Sequence, residues 1–152
     1  MNYEQNMQSL GYKLPEVAQP AGSYLPAITS GNLVFTAGQI PLVEGKLAAT
    51  GKVGAEIEFE QAQELARICI LNGLAAVKSE IGDLQRIKKI VKIVGFVSSD
   101  PAFTQQPQVI NGASDLLAEI FGEVGRHARS AVGVAVLPLD VPVEIELIVE
   151  FD

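Results

Sequence analysis

Tryptophan is absent, histidine and cysteine occur once each, and methionine twice among the 152 residues. The lone Cys69 permits no internal disulfide, which excludes a disulfide-built scaffold and is compatible with a reducing cytoplasm. His127 and Cys69 have no second His or Cys to join them, so the sequence writes no metal-ligand cluster, and no Gly-rich phosphate-cradling helix start occurs. No apolar run approaches the ~20 residues that cross a bilayer. The mostly polar start, Met1 to Leu14, lacks the pattern of a secretory signal. A cytoplasmic chain with no metal, no other cofactor and no membrane contact is therefore expected. Cations are also scarce: 11 Lys and Arg face 18 Asp and Glu, a net charge of −7. Nucleic acid is a poor partner for such a chain, because phosphate affinity comes from clustered Lys and Arg. The one local cluster is Arg86, Lys88, Lys89 and Lys92.

What is present is apolar material in regular patterns. With 48% hydrophobic residues, the chain can bury a core without a staple. No repeat or linker divides it, so one domain over residues 1–152 is expected. Its first 28 residues, interrupted by Pro15, Pro20, Gly22 and Pro26, form a lead-in with a short helix from Tyr3 to Leu10. Leu33 to Gly38 reads as a strand ended by Pro41, with a hairpin partner near Lys46 to Thr50. Helical spacing runs from Phe59 to Ile81 and stops at Gly82-Asp83. Ile87 to Val97 is apolar at both parities and reads as a central strand buried on both faces, with Ile90, Val94 and Phe96 on one side. Residues 107–121 form a second helix, and strands follow at Ala131 to Leu137 and Val143 to Phe151.

The last strand is the most informative. Val143, Ile145, Leu147 and Val149 share one parity, while Glu144, Glu146 and Glu150 share the other, so one face belongs to a core and the other carries carboxylates. Two helices cannot cover both faces of one sheet, so the second face is expected to pack against other copies of the chain.

Four blocks in order resemble the RidA (YjgF) family: Gly22-Ser23-Tyr24-Leu25-Pro26, Thr36-Ala37-Gly38-Gln39-Ile40-Pro41, Ala128-Arg129-Ser130, and Leu137-Pro138 through Val143-Glu144-Ile145-Glu146. Asn111 to Asp115 and Gly125 to Gly133 look closer to a longer subgroup often labelled endoribonuclease or translation inhibitor. The resemblance implies an α+β, chorismate-mutase-like fold, a mixed β-sheet with two main helices on one face, assembled as a homotrimer with sites in clefts between subunits. It also implies hydrolysis of reactive enamines and imines to 2-keto acids and ammonia, with no cofactor and a small carboxylate-bearing imine as the partner.

Residue by residue, the resemblance implies that Arg129 binds the substrate carboxylate, which suits a guanidinium able to make two parallel charge-assisted hydrogen bonds. Glu144 matches the family glutamate that positions water for attack on the imine carbon. Tyr24, Gly38, Gln39, Asn111, His127, Ser130 and Ala131 are the implied substrate-binding positions. Ala37 stands where the family commonly has serine, and the lost hydroxyl leaves room for a different or bulkier substrate; Ala131 stands where cysteine often follows Arg-Ser and matters less if its backbone N–H contacts the carboxylate. Other roles compete at each position: an intersubunit ion pair for Arg129, a solvated strand face for Glu144, tight packing for Gly38, an interface loop for His127. Cys69 fits the core stripe of its helix better than it fits a nucleophile.

If residues 138–142 simply reversed the chain, Arg129 would face Phe151 and Glu144 would face Val136, roughly 23 Å apart at ~3.3 Å per residue. Either the last two strands are not a plain hairpin, or the two residues meet across a subunit boundary. A binder of small carboxylates without hydrolysis, and an endoribonuclease, are the alternative functions.

Overall fold

The computed structural model describes residues 2–152. Asn2 caps the first helix, α1 (Tyr3–Ser9): its side chain accepts from Gln5 N at 2.8 Å, and Gln5 Oε1 accepts from Asn2 N at 3.0 Å. The cap fixes the direction in which α1 enters, and Met7 reaches the core.

Strand β1 (Ala27–Ser30) turns through residues 31 and 32 into β2 (Leu33–Thr36). The hairpin partner of β2 thus precedes it. The stretch expected near Lys46 to Thr50 instead supplies β4 (Lys46–Leu47), which pairs with β3 (Leu42–Val43) in a separate two-stranded ribbon. Helix α2 (Phe59–Ile81) ends at Gly82, as its spacing and stop signal predict. Strand β5 (Ile87–Ser98), helix α3 (Gln106–Phe121), β6 (Ala128–Val134) and β7 (Val143–Phe151) complete the chain.

The main sheet has the order β1-β2-β7-β5-β6. Strand β6 runs parallel to β5, the arrangement a β-α-β crossover through α3 produces, and the other pairings are antiparallel. The last two strands are therefore not a hairpin, because β5 lies between them. Strand β6 also starts and stops three residues earlier than expected, which takes Arg129 and Ser130 into the sheet. In β5 the register with β7 slips between Ile90 and Lys92. The extra residue, Val91, turns Ile90 to the side of Ile93 and Val97, away from Val94 and Phe96. That correction divides the strand differently from simple alternation.

Ile90, Ile93, Val97, Val143, Ile145, Leu147 and Val149 are buried on the face that α2 and α3 cover. On the other face Val94 and Phe96 are only half-buried, so within one chain β5 is covered on one side, not both. That open face also shows Ile28, Phe35 and Val132, which are 57%, 36% and 43% exposed. Among the described residues no helix is long and apolar enough to cross a membrane.

Gly112 sets how closely the two helices approach. A Cβ there would strike the Gln63 carbonyl oxygen of α2 and lie 3.1 Å from Gln63 Cα, atoms that move only if the helix moves. Gly112→Ala is expected to lower the unfolding free energy by about 1–3 kcal/mol through overpacking, despite alanine's better helix propensity. Urea denaturation reads this, and unchanged stability would show that the close approach carries no constraint.

Candidate functional site

Arg129 leaves β6 on the helix-covered side, at the level of Ile93 in the register with β5. There α3 presents Asn111 and, one turn later, Ser114. Arg129 Nη1 donates to Asn111 Oδ1 at 2.7 Å and to Ser114 Oγ at 3.1 Å. Both hydrogens of Nη1 are thereby engaged, and the Nε–Nη2 edge of the guanidinium has no partner among the described residues. His127, two residues earlier, lies 2.9 Å from Ser114 Oγ through Nε2 and 2.7 Å from the Gly125 carbonyl through Nδ1. Asn111, His127 and Arg129 are thus brought together, with Ala131 two residues along the same side of β6. Ser114 was not among the expected site residues. Its signal was the i, i+3 spacing from Asn111, which puts both on one face of a helix.

Glu144 belongs to a second group. It pairs with Phe96 in the sheet and points to the open face, beside Glu146. A Cβ on Gly38 would collide with Glu144 Oε2 and lie 2.9 Å from its Cδ, so the carboxylate occupies the space that the glycine leaves. The Gly38 region is held from two sides. Gln39 and Ile145 exchange backbone hydrogen bonds at 2.7 and 2.9 Å, and Asn72 Nδ2 of α2 donates to the Ile40 and Leu42 carbonyls at 3.1 Å each. Burial lifts the Glu144 carboxyl above the usual carboxylate range, and the charge of Glu146 lifts it further. The Gln39 side chain is buried, with Cγ facing Gly73 of α2, so it is the backbone of Gln39 that serves this group. Cys69 is buried in the core with Sγ 3.6 Å from the Val143 carbonyl, and burial raises its thiol pKa.

The two groups lie on opposite faces of the sheet. Ser130 is exposed on the open face with Glu144 rather than beside Arg129. Tyr24 is half exposed just ahead of β1, where its hydroxyl accepts from Ala21 N at 3.2 Å. That is the far edge of the sheet from β6, four strand spacings or roughly 19 Å away. Within one chain, then, Arg129 joins neither Glu144 nor Tyr24. An open cleft of about 510 Å³ between the N-terminal segment and α2 is lined by Met7, Leu14, Val17, Ala75 and Ser79, and no expected site residue borders it. Among the described residues no three His, Cys, Asp or Glu side chains converge to hold a metal.

Comparison with known proteins bears on this geometry. Residues 4–151 match the family described as "YjgF/chorismate mutase-like, putative endoribonuclease". The chain is 45% identical over 148 residues to protein TCP17 of Trypanosoma cruzi, covering 97% of this chain and 92% of that one. It is 34% identical over 129 residues to the 2-iminobutanoate/2-iminopropanoate deaminase of Escherichia coli K12, covering 84% and 86%. Among solved structures, a "putative endoribonuclease" from Shewanella oneidensis superposes with a TM-score of 0.96 at 36% identity, covering 99% and 100%. Escherichia coli TdcF with bound serine superposes with a TM-score of 0.65 at 27% identity, covering 90% and 94%.

The environment of Glu144 predicts a pH-dependent stability change. A carboxyl with a raised pKa holds its proton more tightly folded than unfolded. Ionising it therefore costs stability as pH rises from the unfolded value, and the cost is complete above the folded value. Glu144→Gln should raise the melting temperature near neutral pH and leave it unchanged at about pH 3, where both states are protonated. Equal melting temperatures for variant and wild type at both pH values would contradict the assigned environment.

Proposed function

The chain belongs to the YjgF/chorismate mutase-like family, and on that premise we propose that it hydrolyses imines bearing a carboxylate to 2-keto acids and ammonia, in clefts between copies of itself. What carries the reading is Arg129, whose Nη1 is anchored by Asn111 and Ser114 while its Nε–Nη2 edge has no partner among the described residues. Two parallel N–H donors on a fixed plane match a carboxylate and hold the imine carbon in a defined place.

Glu144 suits the next step. Its raised pKa makes it a stronger base than an exposed carboxylate. It accepts a proton from water as the oxygen attacks the imine carbon and passes it to the imine nitrogen, which gives a carbinolamine. It then takes the carbinolamine hydroxyl proton and delivers it to the nitrogen as the C–N bond breaks, releasing ammonia and leaving the keto acid. Because Arg129 and Glu144 of one chain face opposite sides of the sheet, the cleft draws them from two copies. The uncovered face with Ile28, Phe35 and Val132 is apolar surface such an assembly would bury. A homotrimer in the cytoplasm is the assembly and setting we propose.

Binding without hydrolysis is the second reading, favoured by the fact that the anchored guanidinium needs no partner residue to hold a carboxylate. An RNA-cleaving role has less support. Lys88 Nζ lies 3.0 Å and Arg86 Nε 3.5 Å from the Asp152 carboxylate, so one carboxylate already engages two of the four cations of the basic cluster.

Arg129→Ala should lower kcat/KM for 2-iminopropanoate by about 100-fold, the loss of two charge-assisted hydrogen bonds. Glu144→Gln should lower kcat while pyruvate still binds, and ammonia release at the uncatalysed rate by wild type would leave only the binding reading. Mixing the two inactive variants after dissociation and reassembly should restore roughly a quarter of the sites if each cleft takes one residue from each copy. No recovery from a mixed assembly would refute the shared cleft. Gly38→Ala, whose new methyl displaces the flexible end of Glu144, should reduce kcat at least tenfold with little change in melting temperature.

A further inference from the structure

From Arg129 to the Gly125 carbonyl, the side chains of Arg129, Ser114 and His127 form a chain of hydrogen bonds whose directions the end groups fix. A carbonyl oxygen only accepts, so His127 Nδ1, 2.7 Å from Gly125 O, carries the ring proton. Nε2 of the neutral ring is then an acceptor, and the group 2.9 Å from it is Ser114 Oγ. The serine hydroxyl donates to Nε2, which leaves its lone pairs for Arg129 Nη1 at 3.1 Å. Donation therefore runs one way, from Arg129 to Ser114, from Ser114 to His127, and from His127 to the backbone. With the other Nη1 hydrogen on Asn111 Oδ1 at 2.7 Å, the guanidinium plane is fixed by two partners from α3.

We infer that His127 and Ser114 are positioning residues: the imidazole, locked in its Nδ1–H form by Gly125, orients the Ser114 hydroxyl so that Arg129 must receive a carboxylate along its Nε–Nη2 edge. The inference rests on the carboxylate-binding reading of Arg129. An arginine with only one Nη1 hydrogen engaged could swing and take a carboxylate end-on across Nη1 and Nη2. Engaging both Nη1 hydrogens removes that alternative and lowers the rotamer entropy lost on binding. Neither residue touches the substrate, so both act on binding more than on the hydrolytic step.

His127 is the only histidine, so in tag-free protein its imidazole nitrogens are the only such signals in a 15N-labelled sample. The wild type should show the Nδ1–H tautomer at about pH 8.5, where a free imidazole is neutral. Ser114→Ala should leave the Nδ1–H form in place, because Gly125 holds it, and move the Nε2 resonance as its hydrogen-bond donor is lost. Pyruvate affinity and KM for 2-iminopropanoate should weaken about tenfold in Ser114→Ala and His127→Ala, the worth of one charge-assisted contact, with kcat little changed. His127→Gln, which places an acceptor near the Nε2 position, should restore both values. A wild-type Nε2–H tautomer, or wild-type pyruvate binding in both alanine variants, overturns the relay. Pyruvate binding that survives Arg129→Ala overturns the carboxylate reading instead, and the tautomer signal still decides whether the relay exists.

Discussion

The insertion of β5 between β6 and β7 is the constraint on which the rest of the site depends. Because β6 returns parallel to β5 through α3, that helix lies against one face of the sheet, and residues of β6 that share the parity of Ile93 meet it. Arg129 has that parity. Because β7 runs antiparallel on the other side of β5, Glu144 sits opposite Phe96 and shares the open face. Topology thus places Arg129 and Glu144 on opposite surfaces, and each surface supplies its own means of holding them. Hydrogen bonds from a helix hold the cation, and a missing side chain at Gly38 makes room for the anion.

Much of this was legible in the chain, for reasons that differ between elements. Helix α2 was readable to its ends because its apolar spacing is dense and Gly82 stops it. The alternation of β7 was readable because charges mark the open parity at Glu144, Glu146 and Glu150. Strand β1 was not, since Ala27, Ile28, Thr29 and Ser30 carry one large apolar side chain after a proline, and its identity as a strand comes from pairing with β2. The bulge at Val91 has no residue signal, because a valine fits either face of β5. It is set by how the two ends of β7 pair.

At the site, residue types were more legible than directions. Arg129, Asn111 and His127 were named from the resemblance, and their meeting depends on the crossover that brings α3 over β6. Ser114 went unmarked because a serine within a helix commonly meets solvent. Its role follows from lying one turn beyond Asn111 and within reach of His127 Nε2. Gln39 shows the reverse. The resemblance implies a ligand contact for Gln39, yet within one chain its side chain turns toward α2 and its backbone holds Ile145, the neighbour of Glu144.

Opposite placement also bears on why such a site would need more than one copy. The anchored guanidinium edge lies at the border strand β6, where a second chain can approach, while the carboxylate face carries apolar residues that water penalises. Laying the open face of one copy against the β6 border of the next would bury that surface. The same contact would desolvate Glu144 further and raise its basicity, and bring it within reach of a substrate held by Arg129. Assembly and activation would then be one physical event, and a separated chain would keep both groups intact yet unable to act on a common substrate.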